Sequence, residues 1–419
     1  MVGGRMKLSY VSPKIGGVRV SHGPLLKHIE ACLEQERALG YKSESIQTHL
    51  RLISRLNLWL AQTRRTLAQL NEELMERFLQ HVRRKRERRY VTGEPTTLRR
   101  LLELLRDRGA IPPPEQPQRC PAQSTAEEYR RFLAKERGLA SATIYNYARH
   151  IDRFLSGRFG TGPVRLSRLH ACDVTAFVQR NAHVNGRGHA LQVVTGVRSF
   201  LRFARYRGYI ATDLEASVPR VANWKLASLP KDLPRGAVQR VLAQCDRATV
   251  TGTRNYAILM LLARLGLRGG EVVALRLEDI DWEKGEITVR SKKGGGWARL
   301  PLPADVGTAI AGYLERGRPR CANRNVFVRI QAPHRPFASS GVVSVLVRTA
   351  LDQAGVKSAR KGAHVFRHTL ATDLLRHGAS LDEIGRVLRH KDPDTTAIYA
   401  KVEIEALRRL ALPWAGGAR

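Results

Sequence analysis

Residues 254–282 read RNYAILMLLARLGLRGGEVVALRLEDIDW. The segment Tyr256–Leu265 predicts an apolar helix, which Gly266 stops. Arg268 follows at the point where that helix has just ended, and Gly269 and Gly270 beside it leave room for another backbone to approach closely. The apolar run Ala257–Ala263 has seven residues, far short of the ~20 that span a membrane. The helix therefore reads as core, with an arginine delivered to its end. Downstream, Glu286–Arg290 and Trp297–Leu302 read as two strands joined by the glycine-rich turn SKKGGG. Helices are predicted at 340–354, 364–377 and 381–389. A last one has Asp392 as its cap, Pro393 at its first position and Ala400, Ile404, Leu407 and Ala411 as its apolar stripe. The fold class is mainly α with a small antiparallel β-sheet, the carboxy-terminal part being α+β.

Upstream, two segments read as linkers. IPPPEQPQRCP (111–121) is too rich in proline for a helix or a central strand, and Val218–Arg235 carries Pro219, Pro230 and Pro234. The cuts leave an amino-terminal extension at 1–21 and three blocks at 22–111, 122–217 and 228–419. The first two blocks repeat each other. Glu36-Arg37 matches Glu136-Arg137, LAQL (67–70) matches LSRL (166–169), and LLELLRDRGAI (101–111) matches FLRFARYRGYI (200–210), at offsets of 99 or 100. Each copy carries amphipathic helices, so the pair predicts two helical bundles in tandem duplication.

Charge narrows the function. The 419 residues hold 72 Lys+Arg against 37 Asp+Glu, a formal net charge of +35, with 43% hydrophobic residues. A core-forming chain with that excess is a folded protein that meets polyanions. The run RRKRERR supplies Arg83, Arg84, Lys85, Arg86, Arg88 and Arg89, and Arg198, Arg202 and Arg205 fall along one helix face. A solvated helix end is the commoner fate of such a run; in this chain, phosphate contact is an equal reading. Aromatic residues make up 6%, which favours a clamp on duplex DNA over stacking on single strands. The five cysteines are scattered without CxxC pairs, and no GxxxxGK[ST] or HExxH motif occurs. These features argue against a disulfide framework, a zinc site and a nucleotide motor. With no apolar stretch of signal-peptide length, the expected location is the cytoplasm.

HVFRH (364–368) places His364, Arg367 and His368 on one helix face. Histidines at that spacing can ligate a metal, but the arginine between them would repel a cation. Cationic and donor side chains together suit a phosphodiester transition state, whose charge accumulates on the non-bridging oxygens. Alone, the motif reads as a surface His-Arg pair. SLDEIGRVLRH (380–390) is a helix ending in His390, and TTAIYAKV places Tyr399 nine residues later. By residue type alone, Tyr399 reads as half-buried packing with its hydroxyl in water.

Taken in order, these elements resemble the tyrosine recombinase (phage integrase) family over most of residues 228–411. GLRGGEVVALRLEDID is similar to the family's first box, which makes Arg268 its first catalytic arginine and Glu271 the acidic residue that follows. HVFRH resembles the second box, carrying His364 and Arg367 with His368 in support. LRH followed by IY resembles the last, with His390 and the nucleophile Tyr399. The hairpin turn supplies the family's lysine, Lys293 being chosen over the adjacent Lys292. One departure is Arg389, where the family usually has glycine before the histidine. Residues 122–217 resemble the family's helical core-binding domain, a SAM-like bundle, and the extra copy at 22–111 is not a standard family feature.

The resemblance implies that Tyr399 attacks the scissile phosphate to give a 3′-phosphotyrosine and a free 5′-hydroxyl. Arg268, Arg367, His364 and His390 would hold the phosphate oxygens, and Lys293 would protonate the leaving oxygen. No metal, ATP or other cofactor is implied. It further implies a homo-tetramer on two specific double-stranded DNA sites, exchanging strands through a Holliday junction for a mobile element. Accessory DNA-bending or partner recombinase proteins are expected as partners, and a membrane is not. The helix from Pro393 or the tail ALPWAGGAR would dock on a neighbouring protomer, with Trp414 either as anchor or packed on its own domain. Two other readings stand beside this one: a type IB topoisomerase, and a DNA-binding protein that keeps the fold without cutting.

Overall fold

In the computed structural model, residues 14–15, 18–19, 22–85, 93–114, 120–182, 184, 186–221, 232–290 and 296–400 are described. A short β1 (Lys14–Ile15) pairs antiparallel with β2 (Val18–Arg19) ahead of the first helices. Four helices follow: α1 (Ile29–Ala38), α2 (Ser43–Gln62), α3 (Glu72–Lys85) and α4 (Glu94–Asp107). Their apolar stripes meet in a core that contains Leu25, Ile29, Leu50, Leu56, Phe78 and Leu105. The same order then recurs in α5 (Pro121–Lys135), α6 (Ser141–Phe159), α7 (Ala171–Ala182) and α8 (Gly186–Tyr206). A 3₁₀ turn lies between the second and third helix of each set, at Leu67–Gln69 and at Leu166–Arg168, matching the sequence offset. The second core is more aromatic, with Tyr129, Phe132, Phe154, Phe200 and Phe203 in contact.

The third block builds its own core around the helix quoted first. Thr249 caps α10 (Val250–Leu265) by accepting the Gly252 N–H at 3.0 Å, and Gly266 ends it at φ 57°. Its neighbours are α9 (Ala237–Ala243), α11 (Gly269–Ala274) and α12 (Ala304–Arg316), with α13 (Gly341–Gln353) closing the layer. A three-stranded antiparallel sheet, β3 (Ile280–Asp281), β4 (Glu286–Arg290) and β5 (Trp297–Pro301), lies at one edge with Arg290 opposite Trp297. The two long strands are as expected. The two-residue β3 is an addition, too short to show alternation in sequence. A satellite core joins α14 (His364–Arg376), α15 (Leu381–Leu388) and α16 (Asp394–Ala397) through Ala371, Leu375, Ile384, Leu388 and Tyr399.

One expectation changes. The last helix was expected to run unbroken from Pro393, but α16 stops at Ala397. Its chain then turns, with the Tyr399 N–H donating to Thr396 O at 3.0 Å. Burying the Tyr399 ring against α14 and α15 takes precedence over helical propensity there. The remainder of that stripe and Trp414 lie outside the described residues. The first block packs on the third. It shares one compact unit with the third block, the His334 N–H donating to Leu39 O at 3.2 Å, while the middle block forms a second unit. Among the described residues, no helix is long and apolar enough to cross a membrane.

Candidate active site

The termini of four helices set the site. The turn at Gly266 throws Arg268 to the start of α11, where its backbone N–H donates to the Glu271 Oε2 carboxylate oxygen at 2.8 Å. The same carboxylate takes the Arg268 Nη1 at 2.8 Å through Oε1 and the Arg389 Nη2 at 3.1 Å through Oε2. Glu271 is 7% exposed. Burial alone would raise its pKa, but the Arg268 N–H and the charges of Arg389 and Arg268 hold the carboxyl below its ordinary range.

Arg367 enters the same region from the first turn of α14. It is 4% exposed, donating to Gly266 O at 2.7 Å and to Leu388 O. Those carbonyls end α10 and α15, so one guanidinium satisfies two helix carboxyl termini, where a cation is favoured. Burial and then the charges of Arg268 and Arg389 bring its pKa down to about 9, and it stays cationic at neutral pH.

Three histidines surround these cations. His364, one turn before Arg367, is open to the surface, and desolvation followed by the Arg367 and Arg268 charges lowers its pKa. His390 follows the left-handed end of α15 and is fixed by Thr396 Oγ1, 2.7 Å from its Nδ1. Desolvation and the neighbouring arginines lower it to about 4. His368 is lowered to about 4 by desolvation and then by His364 and the arginines. Its Nδ1 lies 2.9 Å from the Tyr399 hydroxyl. All three imidazoles are neutral at pH 7.

Tyr399 is 1% exposed rather than half-buried with its hydroxyl in water. Burial pushes the phenol up to about 12, partly offset by the Arg367 charge. The ring is thus protonated, held by its own chain and within the field of Arg367. A pocket of about 770 Å³ is lined by Arg268, Gly270, Glu271, His364, Arg389, His390, Lys391 and Asp392, with Trp297 of β5 also in its wall. Gly270 has open space where a Cβ would be, in keeping with the expected close approach. Lys292 and Lys293 lie outside the described residues, although Gly296 at the end of their turn lines the pocket. Arg268, Arg389 and Lys391 face Glu271 and Asp392 in the pocket lining, with His364 and His390 beside them, and this excess of positive charge suits an anion with oxygens to share.

Sequence reasoning brought together Arg268, Glu271, His364, Arg367, His390 and Tyr399, and the structure places Arg268, Glu271, His364 and His390 in the pocket lining and buries Arg367 and Tyr399. It noted Arg389 only as an added cation and missed Thr396. A threonine six residues after a histidine carries no signal until the chain turns back.

The DNA-directed arginines are placed differently. Arg83 and Arg84 are exposed on the last turn of α3; Lys85 ends that helix, and Arg86, Arg88 and Arg89 lie outside the described residues. On α8, Arg198 donates to Val218 O at 3.0 Å, Arg202 grips Glu215 at 2.7 Å, and Arg205 pairs with Asp213 at 3.0 Å. The helix face expected to be open for phosphates is therefore already engaged by the loop after α8.

Known proteins resemble this chain over the block that carries the pocket and beyond it. The model of the phage integrase family matches residues 231–405. A Sinorhizobium fredii protein that carries the name integrase/recombinase, y4rA, is 45% identical over 403 residues, covering 96% of this chain and 97% of its own. The tyrosine recombinase XerD of Listeria innocua is 30% identical over 285 residues, covering 66% of this chain and 93% of its own. Among solved structures, a lambda integrase tetramer bound to a Holliday junction shares the fold at TM-score 0.52 and 17% identity, over 74% of this chain and 87% of that one. A chain matched over 96% of its length by an integrase/recombinase at 45% identity, and over residues 231–405 by the family model, is a member of the phage integrase family of tyrosine recombinases.

Proposed function

We propose that the protein is a site-specific DNA recombinase that cuts and rejoins strands through a phosphotyrosine intermediate. The observation that carries this reading is Tyr399 buried within the field of Arg367, in a block whose pocket sets Arg268, Arg389 and Lys391 against Glu271 and Asp392. In the proposed reaction the scissile phosphate enters the pocket, where Arg268, His364 and His390 share its non-bridging oxygens. Arg367 anchors the pocket floor and supplies the field in which the pentacoordinate charge develops. The Tyr399 oxygen attacks phosphorus, its proton passing to the hydrogen-bonded His368, while the 5′-oxygen leaves with a proton from Lys293 or Lys292. One phosphodiester is exchanged for another, and attack by a second 5′-hydroxyl reverses the step on a new partner.

The phenol is sheathed by His368 and by its own helices, so cleavage would follow a shift that brings the hydrogen-bonded Tyr399–His368 pair and the phosphate together. Blocks 22–111 and 122–217 would serve as duplicated helical DNA-binding domains, a reading supported by their matched helix order and turns. The catalytic block would be 228–419. Assembly as a tetramer on two sites with a Holliday-junction intermediate is supported by the lambda integrase likeness. Service to a mobile element is supported by the integrase name of the full-length relative.

A nicked suicide duplex carrying a site selected by binding to the protein tests the reading. The wild type is expected to form an adduct that resists denaturant, and Tyr399→Phe to bind the duplex without forming one. Equal adduct from both would remove Tyr399 as nucleophile.

A further inference from the structure

Arg389 has a conformation that its side chain must justify. Among the described non-glycine residues, only Arg64 and Arg389 have positive φ, and Arg389 sits at φ 55°, ψ 49°. A left-handed residue ends a helix well when it is glycine, which has no Cβ to clash. Arg64 is exposed on a turn, whereas the Arg389 side chain is only 13% exposed and lies along the pocket.

Its guanidinium bonds in two directions: Nη1 donates to the Val387 carbonyl at 3.2 Å, near the end of α15, and Nη2 donates to the Oε2 oxygen of Glu271 at 3.1 Å. The consequence shows by contrast with Arg106 and Glu72, where one arginine has a carboxylate to itself. There, both arms engage both oxygens, at 2.8 and 2.9 Å. At the pocket, Arg268 reaches Glu271 by one arm only, through Oε1, because Oε2 is taken by the Arg268 backbone N–H at 2.8 Å and by Arg389, and its other arm makes only a long bond, 3.5 Å, to the Arg389 carbonyl. A carboxylate serving Arg268 alone could close on it as a fork and neutralise it.

We propose that Arg389 is a positioning residue: by sharing Glu271, it keeps the second arm of Arg268 available to the scissile phosphate. The assignment rests on the phosphodiester reading of the pocket. It predicts that relieving the backbone conformation and losing the side chain have opposite consequences. Arg389→Gly in the full chain should unfold at the wild-type temperature or above it. At saturating suicide duplex, its adduct should nonetheless form about 10-fold more slowly, less than the loss of a direct transition-state donor. Arg389→Lys should recover part of the rate. Adding Glu271→Gln to Arg389→Gly should cost little beyond the slower single variant, because both act through one carboxylate.

Adduct formation at the wild-type rate in Arg389→Gly would overturn the assignment. So would a parallel fall in unfolding temperature and rate, which would mark a structural cap. Losses that multiply in the double variant would place Arg389 on the DNA itself and overturn the positioning role. A wild type that forms no adduct at all would overturn the phosphodiester reading, and this assignment with it.

Discussion

Two buried charge networks in this chain use the same residue types to opposite ends. In the first bundle, Arg100 (7% exposed) donates to Glu36 at 2.8 Å and to the Tyr41 hydroxyl, and lies 4.6 Å over the Tyr41 ring. The other Glu36 oxygen meets His49 Nδ1 at 2.7 Å. One guanidinium, one carboxylate, a phenol and an imidazole close the network and tie α1, α2 and α4 together. At the pocket, Arg268 and Arg389 share the carboxylate of Glu271, and Arg367 nearby bonds backbone carbonyls in place of a carboxylate. Backbone carbonyls and helix termini make that excess tolerable without cancelling it. A buried arginine with a matched carboxylate reads as structure, and buried arginines that outnumber their carboxylates read as a site for an anion.

That contrast can be broken by experiment. The largest effect is expected for Arg367→Lys, which keeps a charge but cannot bond Gly266 and Leu388 together. The adduct rate at saturating duplex should fall about 10²–10³-fold, and a near-wild-type rate would empty the comparison. Arg100→Ala should leave Glu36 buried and unpaired and destabilise the first bundle by about 3–5 kcal/mol. Thermal unfolding would show this, while the still-folded protein at saturating duplex should cleave at the wild-type rate. Loss of cleavage without loss of stability would mean that the closed network also serves the chemistry.

Acid provides a third test. His368 and His390 titrate near 4 in the fold, against an ordinary value near 6.5. Below pH 6.5 the unfolded chain binds protons that the folded one refuses, so stability should be full above that pH and fall towards pH 4. His150 in the second bundle, also lowered to about 4 by burial, acts in the same direction. An unfolding temperature that stays flat from pH 7 to pH 4.5 would contradict these assignments. The smallest effect is expected from Arg202→Gln and Arg205→Gln. Because both already pair with carboxylates, each should change the salt slope of DNA binding by less than the ~1 expected of a phosphate contact. A full unit lost per residue would restore the open-face reading.

Much of the site was legible because its parts are local. Gly266 before Arg268, the HVFRH turn and the LRH helix end are each set within a few residues, and the helices and strands around them fell where periodicity placed them. What could not be read joins distant residues. The Arg389–Glu271 pair spans 118 positions, the His368–Tyr399 contact 31, and the Arg100–Glu36 pair 64. The carboxylates that engage Arg202 and Arg205 come from a loop with no helical spacing to α8. Helical periodicity through Ala400 and Ile404 pointed to a longer final helix, and only the burial of Tyr399 shows why the chain turns at Ala397.

The central claim is that the buried Tyr399 phenol becomes bonded to DNA. Digesting the wild-type adduct with protease and nuclease, then locating the added nucleotide by mass spectrometry, measures it directly. A 3′-linked nucleotide is expected on the peptide containing Tyr399, attached to its phenolic oxygen. The nucleotide on any other side chain, or cut DNA bearing a free 3′-phosphate and no attached peptide, would contradict it.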